Sequence, residues 1–366
     1  HIGDPPSVMS TWFAKPSAAA PPDPAALAAS LFVTVGACFG TMFIGVLVAR
    51  NSLLSADARR GVSLLYAKLV FPAMVFRGVA AIDLGAVDPS ILGVMLLSKW
   101  ALALCGLAFG AFSGRGLAAG AMYAMAVSHS FDVSLGVPIA RVLYPAELPY
   151  VYLNQSVQLV LVNPVLLVLM ELGGGGGGAG VWRRALASTA TNPLVVMTAL
   201  GLAAALALPA GLPPLVAATT KQVADAGPLL GFMSLGFAMA AVGGTSAAEL
   251  RLCAALCGLK IVLMPALYRG AALALGVGSG ATPFLAFIGV LPASASVYSL
   301  ASTKGLEPRV LGPLVPLTML LCVALVLLPL SPAAAGVDTA LSAAVAVVAA
   351  AALALTLRAP AKEKSI

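Results

Sequence analysis

Two stretches decide how this chain is read: Ala126-Val-Ser-His-Ser-Phe-Asp-Val-Ser-Leu-Gly-Val-Pro138 and Gly289-Val-Leu-Pro-Ala-Ser-Ala-Ser-Val-Tyr-Ser299. Each interrupts a long apolar run with polar side chains and with glycine and proline. Proline removes a backbone donor and its ring clashes with the preceding turn; glycine loosens a helix further. In hydrocarbon, the backbone groups freed in this way must be satisfied by protein, water or ligand. The stretches therefore read as broken membrane helices. Ordinary proline kinks are the alternative, because proline and glycine are common in such helices.

The composition supplies the membrane. Of 366 residues, 61% are hydrophobic and 9% charged, with mean hydropathy +1.04. A soluble domain carries roughly 25% charged residues. A spanning helix needs about 20 mostly apolar residues. Working outward from the two broken stretches, the spans are 25–48, 61–80, 89–110, 116–143, 149–171, 192–208, 219–242, 252–275, 283–303, 310–330 and 338–357. The glycine run 173–178, followed by Trp182, Arg183 and Arg184, separates five spans from five, and the interrupted spans are the fourth and the ninth. An odd number of helices per half reverses the orientation of the second half, as in many secondary transporters, and matched interruptions point to a transport site. The expected fold is all-α: ten transmembrane helices as two inverted five-helix repeats, plus an eleventh C-terminal helix. The expected divisions are a disordered tail 1–24, a first repeat 25–172, a cytosolic linker 173–191, a second repeat 192–330, and an extra helix with a basic tail 331–366.

Basic residues orient this layout. Arg50, Arg59, Arg60, Arg115, Arg183, Arg184, Arg251, Lys304, Arg309, Arg358, Lys362 and Lys364 fall on one side, and Lys15, Arg77, Arg141, Lys221 and Arg269 on the other. The positive-inside rule makes the first side cytosolic, with the N-terminus outside or luminal and the C-terminus cytosolic. The net charge of +7 is explained by these short loops, so no nucleic-acid partner is implied.

Lys68, Lys99 and Lys260 remain inside spans, where Asp132 and Glu171 are the acids available. They read either as snorkelling or paired structural groups, or as attraction for an anionic ligand. In the fifth span Asn154, Gln155, Gln158 and Asn163 either line a cavity or join helices. Asn154-Gln155-Ser156 matches a glycosylation sequon, at a place too close to the membrane for use. The cysteines Cys38, Cys105, Cys253, Cys257 and Cys322 lie in apolar runs without the companions of a metal site. No nucleotide loop, zinc-protease motif or nucleophile elbow is present, and His1 and His129 are the only histidines. No enzyme activity, metal or cofactor is expected.

Lys68-Leu-Val-Phe-Pro-Ala-Met-Val-Phe76, Asn192-Pro-Leu-Val195, Leu259-Lys-Ile-Val-Leu-Met-Pro265 and Pro292-Ala-Ser-Ala-Ser-Val-Tyr298, in this order, resemble the auxin efflux carrier (PIN-like) superfamily over about residues 25–330. Asp132 through Pro138 and Leu161-Val-Asn-Pro164 are most similar to the permease-like domain of its lysosomal cholesterol-sensing members. The resemblance implies that helices 4 and 9 are broken and cross at the substrate site, and that an organic anion moves by an elevator-like motion. Lys99, Gln158 and Glu171 match family positions, whereas Phe131 stands in place of the crossover asparagine, Met95 in place of the third-helix aspartate and Ala295 in place of a second proline.

The expected substrate-binding set is Lys99, Ser130, Phe131, Asp132, Gly136, Pro138, Gln158, Pro292, Ser294 and Ser296, with His129 and Asp132, three apart on a helix face, as a proton-coupling pair. The expected partners are a small organic anion or a lipid or sterol, membrane lipids, and a second copy of the chain. The expected location is the plasma membrane or an endolysosomal or ER membrane. The alternative function is a sensor on the carrier fold that binds sterol or another lipid. Cysteine tags at Gly175 and Asp83 should label from opposite membrane sides; labelling from the same side would contradict the inverted layout.

Overall fold

The computed structural model describes residues 24–174, 180–240 and 246–327. The expected tail up to residue 23, the linker residues 175–179 and the segment 331–366 with its eleventh span lie outside the described residues. Among the described residues every regular element is helical: α1 Pro24–Arg50, α2 Ala56–Ala80, α3 Pro89–Phe112, α4 Gly116–Ser128, α5 Val137–Leu143, α6 Leu148–Gly173, α7 Gly180–Ala190, α8 Pro193–Ala207, α9 Pro214–Ala240, α10 Ala247–Ala274, α11 Thr282–Val290, α12 Ala295–Lys304 and α13 Pro308–Leu327. Seven of these are long and apolar enough to cross a membrane, beginning for α1 at Ala29 and ending for α13 at Val326. The remaining three expected spans fall short for visible reasons. The fourth is split into α4 and α5, the ninth into α11 and α12, and the sixth, α8, has only 15 residues.

Caps set several boundaries and shift some of the expected ones. Ser55 accepts from the Ala58 amide, so α2 begins at Ala56 and not at 61. Ser246 and Glu249 form a reciprocal capping box, so α10 begins at Ala247 and not at 252. Hydropathy misses such first turns because they carry Asp57, Arg59 and Arg60 in one case and Glu249 and Arg251 in the other. Asp88 caps α3, and hydrogen bonds from the Ser90 side chain and backbone hold its carboxyl below the usual carboxylate range. Asn192 caps α8 by accepting from the Leu194 amide.

Four helices widen into a π-turn just before a proline: Tyr66–Val70 before Pro72, Asp132–Gly136 before Pro138, Gln158–Val162 before Pro164, and Leu259–Leu263 before Pro265. A proline ring cannot sit against the carbonyl four residues earlier, and the wider turn relieves the clash. Tyr66, Asp132, Gln158 and Lys260 all lie in these turns, and each bonds across to another element.

The helices pack in two groups. In one, α1 lies on α9, and α2 on α8 and α9; in the other, α3 lies on α4, α4 on α6, and α10 on α3, α11 and α13. Each group mixes helices from before and after α7. Small residues allow close approach: a Cβ on Gly110 would strike the Gly120 backbone, and one on Gly236 would strike the Met42 carbonyl and Gly45. Outward positions such as Phe32, Leu104 and Leu273 are apolar and exposed, as a lipid-facing surface requires.

Two in-span charges differ from expectation. Lys68 is exposed on the outer face of α2, not buried. Glu171 sits in the last turn of α6, where it pairs with Lys304 at 3.4 Å. With Arg115–Glu307 at 3.1 Å, this pair marks one end of the bundle, and the basic residues of both pairs belong to the set assigned to the cytosol. At the other end Arg77 Nη1 donates to the Ala217 carbonyl at 2.6 Å, and the Asp88 amide donates to Tyr150 Oη at 2.8 Å.

The glycine contacts give a stability test. Gly110→Leu and Gly236→Leu should each lose about 1–3 kcal/mol through overpacking. Gly36→Leu, whose Cβ would meet nothing within 4 Å, should be silent. Thermal melting of detergent-solubilised protein measures this, and equal behaviour of all three variants would contradict the packing.

Candidate functional site

The two expected breaks meet. α4 ends at Ser128, and residues 129–131 leave the helix, extended at His129, before the π-turn begins at Asp132. α11 ends at Val290, and residues 291–294 run extended before α12. Here the Phe131 amide donates to the Pro292 carbonyl at 2.9 Å and the Ser294 amide to the His129 carbonyl at 3.2 Å. The result is an antiparallel bridge at Ser130 and Ala293. Each break thus supplies backbone partners to the other, as buried polar backbone requires. The Ala293 amide is taken by Thr318 Oγ1 from α13 at 3.1 Å. Gly136 lies against the second break: a Cβ there would come within 2.9 Å of Leu291 Cδ1.

Polar side chains complete the accounting. Gln158 faces the Ser130 peptide: its Oε1 accepts from the Ser130 amide at 3.0 Å, and its Nε2 donates to the Ser130 carbonyl at 3.3 Å. Lys99 Nζ donates to the same Oε1 at 2.8 Å and to the Ser128 carbonyl at 3.2 Å. Lys260 Nζ donates to the His129 carbonyl at 3.2 Å and to Ser130 Oγ at 2.8 Å. Both lysines are fully buried and reach the C-terminal end of α4, where partial negative charge accumulates. The bonding explains their depth in the bundle.

Asp132 belongs to a separate chain. Tyr268 Oη donates to Asn154 Oδ1 at 2.9 Å, and Asn154 Nδ2 donates to Asp132 Oδ1 at 3.0 Å. Asp132 Oδ2 meets no partner, although Lys99 and Lys260 lie within electrostatic reach. Among the described residues, no ion pair joins these buried groups. Burial of Asn154 in this chain also removes the sequon from use.

Two expectations change in form. His129 and Asp132 share no helix face, because the helix ends before His129. The His129 ring turns to Ser128 Oγ, 3.1 Å from Nδ1, and its buried Nε2 meets no partner, while Asp132 turns to Asn154. Phe131 is buried in a T-shaped pair with Phe232, centroids 5.8 Å apart, so its ring is packed inside the bundle. Of the expected residues, Lys99, Ser130, Gln158 and Pro292 converge on the bridge, with Phe131, Asp132 and Gly136 packed beside it. Pro138 follows the π-turn and is partly exposed. Ser294 and Ser296 pair with each other at 2.8 Å at the start of α12, where Ser296 is exposed.

Residues outside the expected set take part as well: Lys260, Asn154, Tyr268, Thr318, and Tyr66, whose Oη lies 2.6 Å from Ser134 Oγ. For Lys260 and Asn154 the signal was polarity inside a span. Tyr66, Tyr268 and Thr318 carry no such mark in an apolar helix.

No family model matches the chain. The chain is similar to the lysosomal cholesterol signaling protein of Mus musculus. The two are 26% identical over 175 residues, which is 44% of this chain and 20% of that protein. The chain therefore spans about a fifth of the relative's length.

Gln158 holds one ammonium and one peptide at once. Gln158→Leu leaves the Lys99 charge and the Ser130 amide short of an acceptor and should cost about 3–5 kcal/mol. Gln155→Leu removes only a neutral amide contact, 2.9 Å from Gln158, and should cost about 1–2 kcal/mol. Melting temperatures that rank the variants in the opposite order would contradict this account.

Proposed function

We propose that the chain is a secondary membrane carrier, not an enzyme, and that it moves a small organic anion by elevator-type alternating access. In this reading the ten spans form two inverted five-helix repeats, and the ligand site lies at the crossing of α4–α5 with α11–α12. The observation that carries the reading is the bridge between two helix breaks at matched positions, held by buried lysines. The mixed helix groups support it: α1 and α2 join α8 and α9, as two interlocked repeats would, and leave the crossing helices in a second body able to move against the first.

The sign of the ligand follows from charge and donor counting. Two buried ammonium groups face one carboxylate. Lys99 uses two of its three donors within the protein and keeps one N–H for a ligand. Ser296 offers an exposed hydroxyl at the start of α12, with the buried Ser294 as its hydroxyl partner, where the helix dipole favours negative charge. The membrane is read as plasma, endolysosomal or ER, with a luminal or outside N-terminus.

A second reading is a sensor on the same fold that binds a sterol. The relative's name favours it, and so does the burial of residues 128–137, which closes the crossover in this conformation.

Binding to purified protein separates the two readings. Aromatic and aliphatic carboxylates should bind, and Lys99→Gln should weaken the anion more than its neutral analogue. Equal losses would make Lys99 purely structural. Sterol binding without carboxylate binding would favour the sensor.

A further inference from the structure

The two buried lysines differ in what they leave unused. An ammonium has three N–H donors and no acceptor. Lys260 spends all three inside the protein: on the His129 carbonyl at 3.2 Å, Ser130 Oγ at 2.8 Å and Met264 Sδ at 3.1 Å. It has no donor left for a ligand. Its surroundings are a backbone carbonyl at a helix C-terminus, a hydroxyl and a thioether, all acceptors gathered around one positive charge. Asp132 on the π-turn and Cys322 on α13 lie within its electrostatic reach, as does the like charge of Lys99 on α3.

We propose that Lys260 is a tethered cation: its ammonium fills, from within the chain, a site at the α4 break that would otherwise take a small monovalent cation. The crossover is thereby held together without bound sodium or potassium. Lys260 acts as a positioning residue, fixing the carbonyl of His129 and the hydroxyl of Ser130 while the Ser130 peptide pairs with Gln158. This assignment holds whether the ligand is an anion or a sterol, because it concerns how the break is neutralised and not what binds beside it.

The test is chemical rescue of the full chain, purified and reconstituted in nanodiscs, with melting followed at constant ionic strength. Wild-type protein should melt at the same temperature in sodium, potassium and choline chloride. Lys260→Met, which keeps the bulk and removes the charge, should melt lower by several degrees and respond to none of these salts. Lys260→Ala, which vacates the site, should also melt lower and should recover saturably with methylammonium, while tetramethylammonium, too large for the site and without donors, should have no effect. A merely space-filling lysine would not show that discrimination. Three results would overturn the proposal: saturable stabilisation of the wild type by sodium or potassium over choline, wild-type melting of Lys260→Met, or failure of methylammonium, sodium and potassium alike to restore Lys260→Ala. Should Lys260→Ala be recovered only as aggregate, Lys260→Met carries the test: melting lowered in every salt supports the tethered cation, and wild-type melting overturns it. Because the readout is stability, failure here leaves the carrier reading to its own binding test.

Discussion

A helix broken inside hydrocarbon must find partners for the backbone groups it frees, and the rest of this structure follows from that demand. Water is absent there, and an unpaired amide or carbonyl costs several kcal/mol. The chain answers by bringing two breaks together. Backbone bonds across Ser130 and Ala293 satisfy some of the groups, and Gln158, Lys99, Lys260 and Thr318 satisfy others. Each of these side chains comes from a different helix, so the break dictates how α3, α6, α10 and α13 surround it. Close packing at glycine then follows, because polar side chains of fixed length must reach a common point.

Charge placement obeys the same demand. Lysine is expensive in a bilayer unless it faces the protein interior and finds acceptors. Lys99 and Lys260 find carbonyls at the end of α4. Lys68 lies in nearly the same local sequence as Lys260, since Lys68-Leu-Val-Phe-Pro and Lys260-Ile-Val-Leu-Met-Pro both put a lysine in a π-turn before a proline. Yet Lys68 is exposed and Lys260 fully buried. Local pattern does not separate them; the helices packed around each turn do.

That contrast marks how far the sequence could be read. The all-helical architecture and the two breaks were legible, because glycine, proline and polar residues inside apolar runs have direct backbone consequences. Matched breaks pointed to Ser130 and Pro292, whereas Lys99 and Gln158 entered through the family resemblance, since spacing alone does not direct either side chain to the break. The direction of each side chain was not legible. The supposed helix face shared by His129 and Asp132 vanished once the helix ended at Ser128, and the Phe131 ring turned to Phe232. Tyr66, Tyr268 and Thr318 were hidden because an aromatic or hydroxyl residue in an apolar helix has many uses, and only tertiary packing selects one.

The central claim is that the crossover is where a ligand is recognised. The most direct measurement is a cryo-EM structure of the protein saturated with an aromatic carboxylate found to bind it. The account predicts ligand density between the start of α12 at Ser294 and Ser296 and the free N–H of Lys99. Density confined to a lipid-facing groove away from residues 128–138 and 291–298 would contradict it.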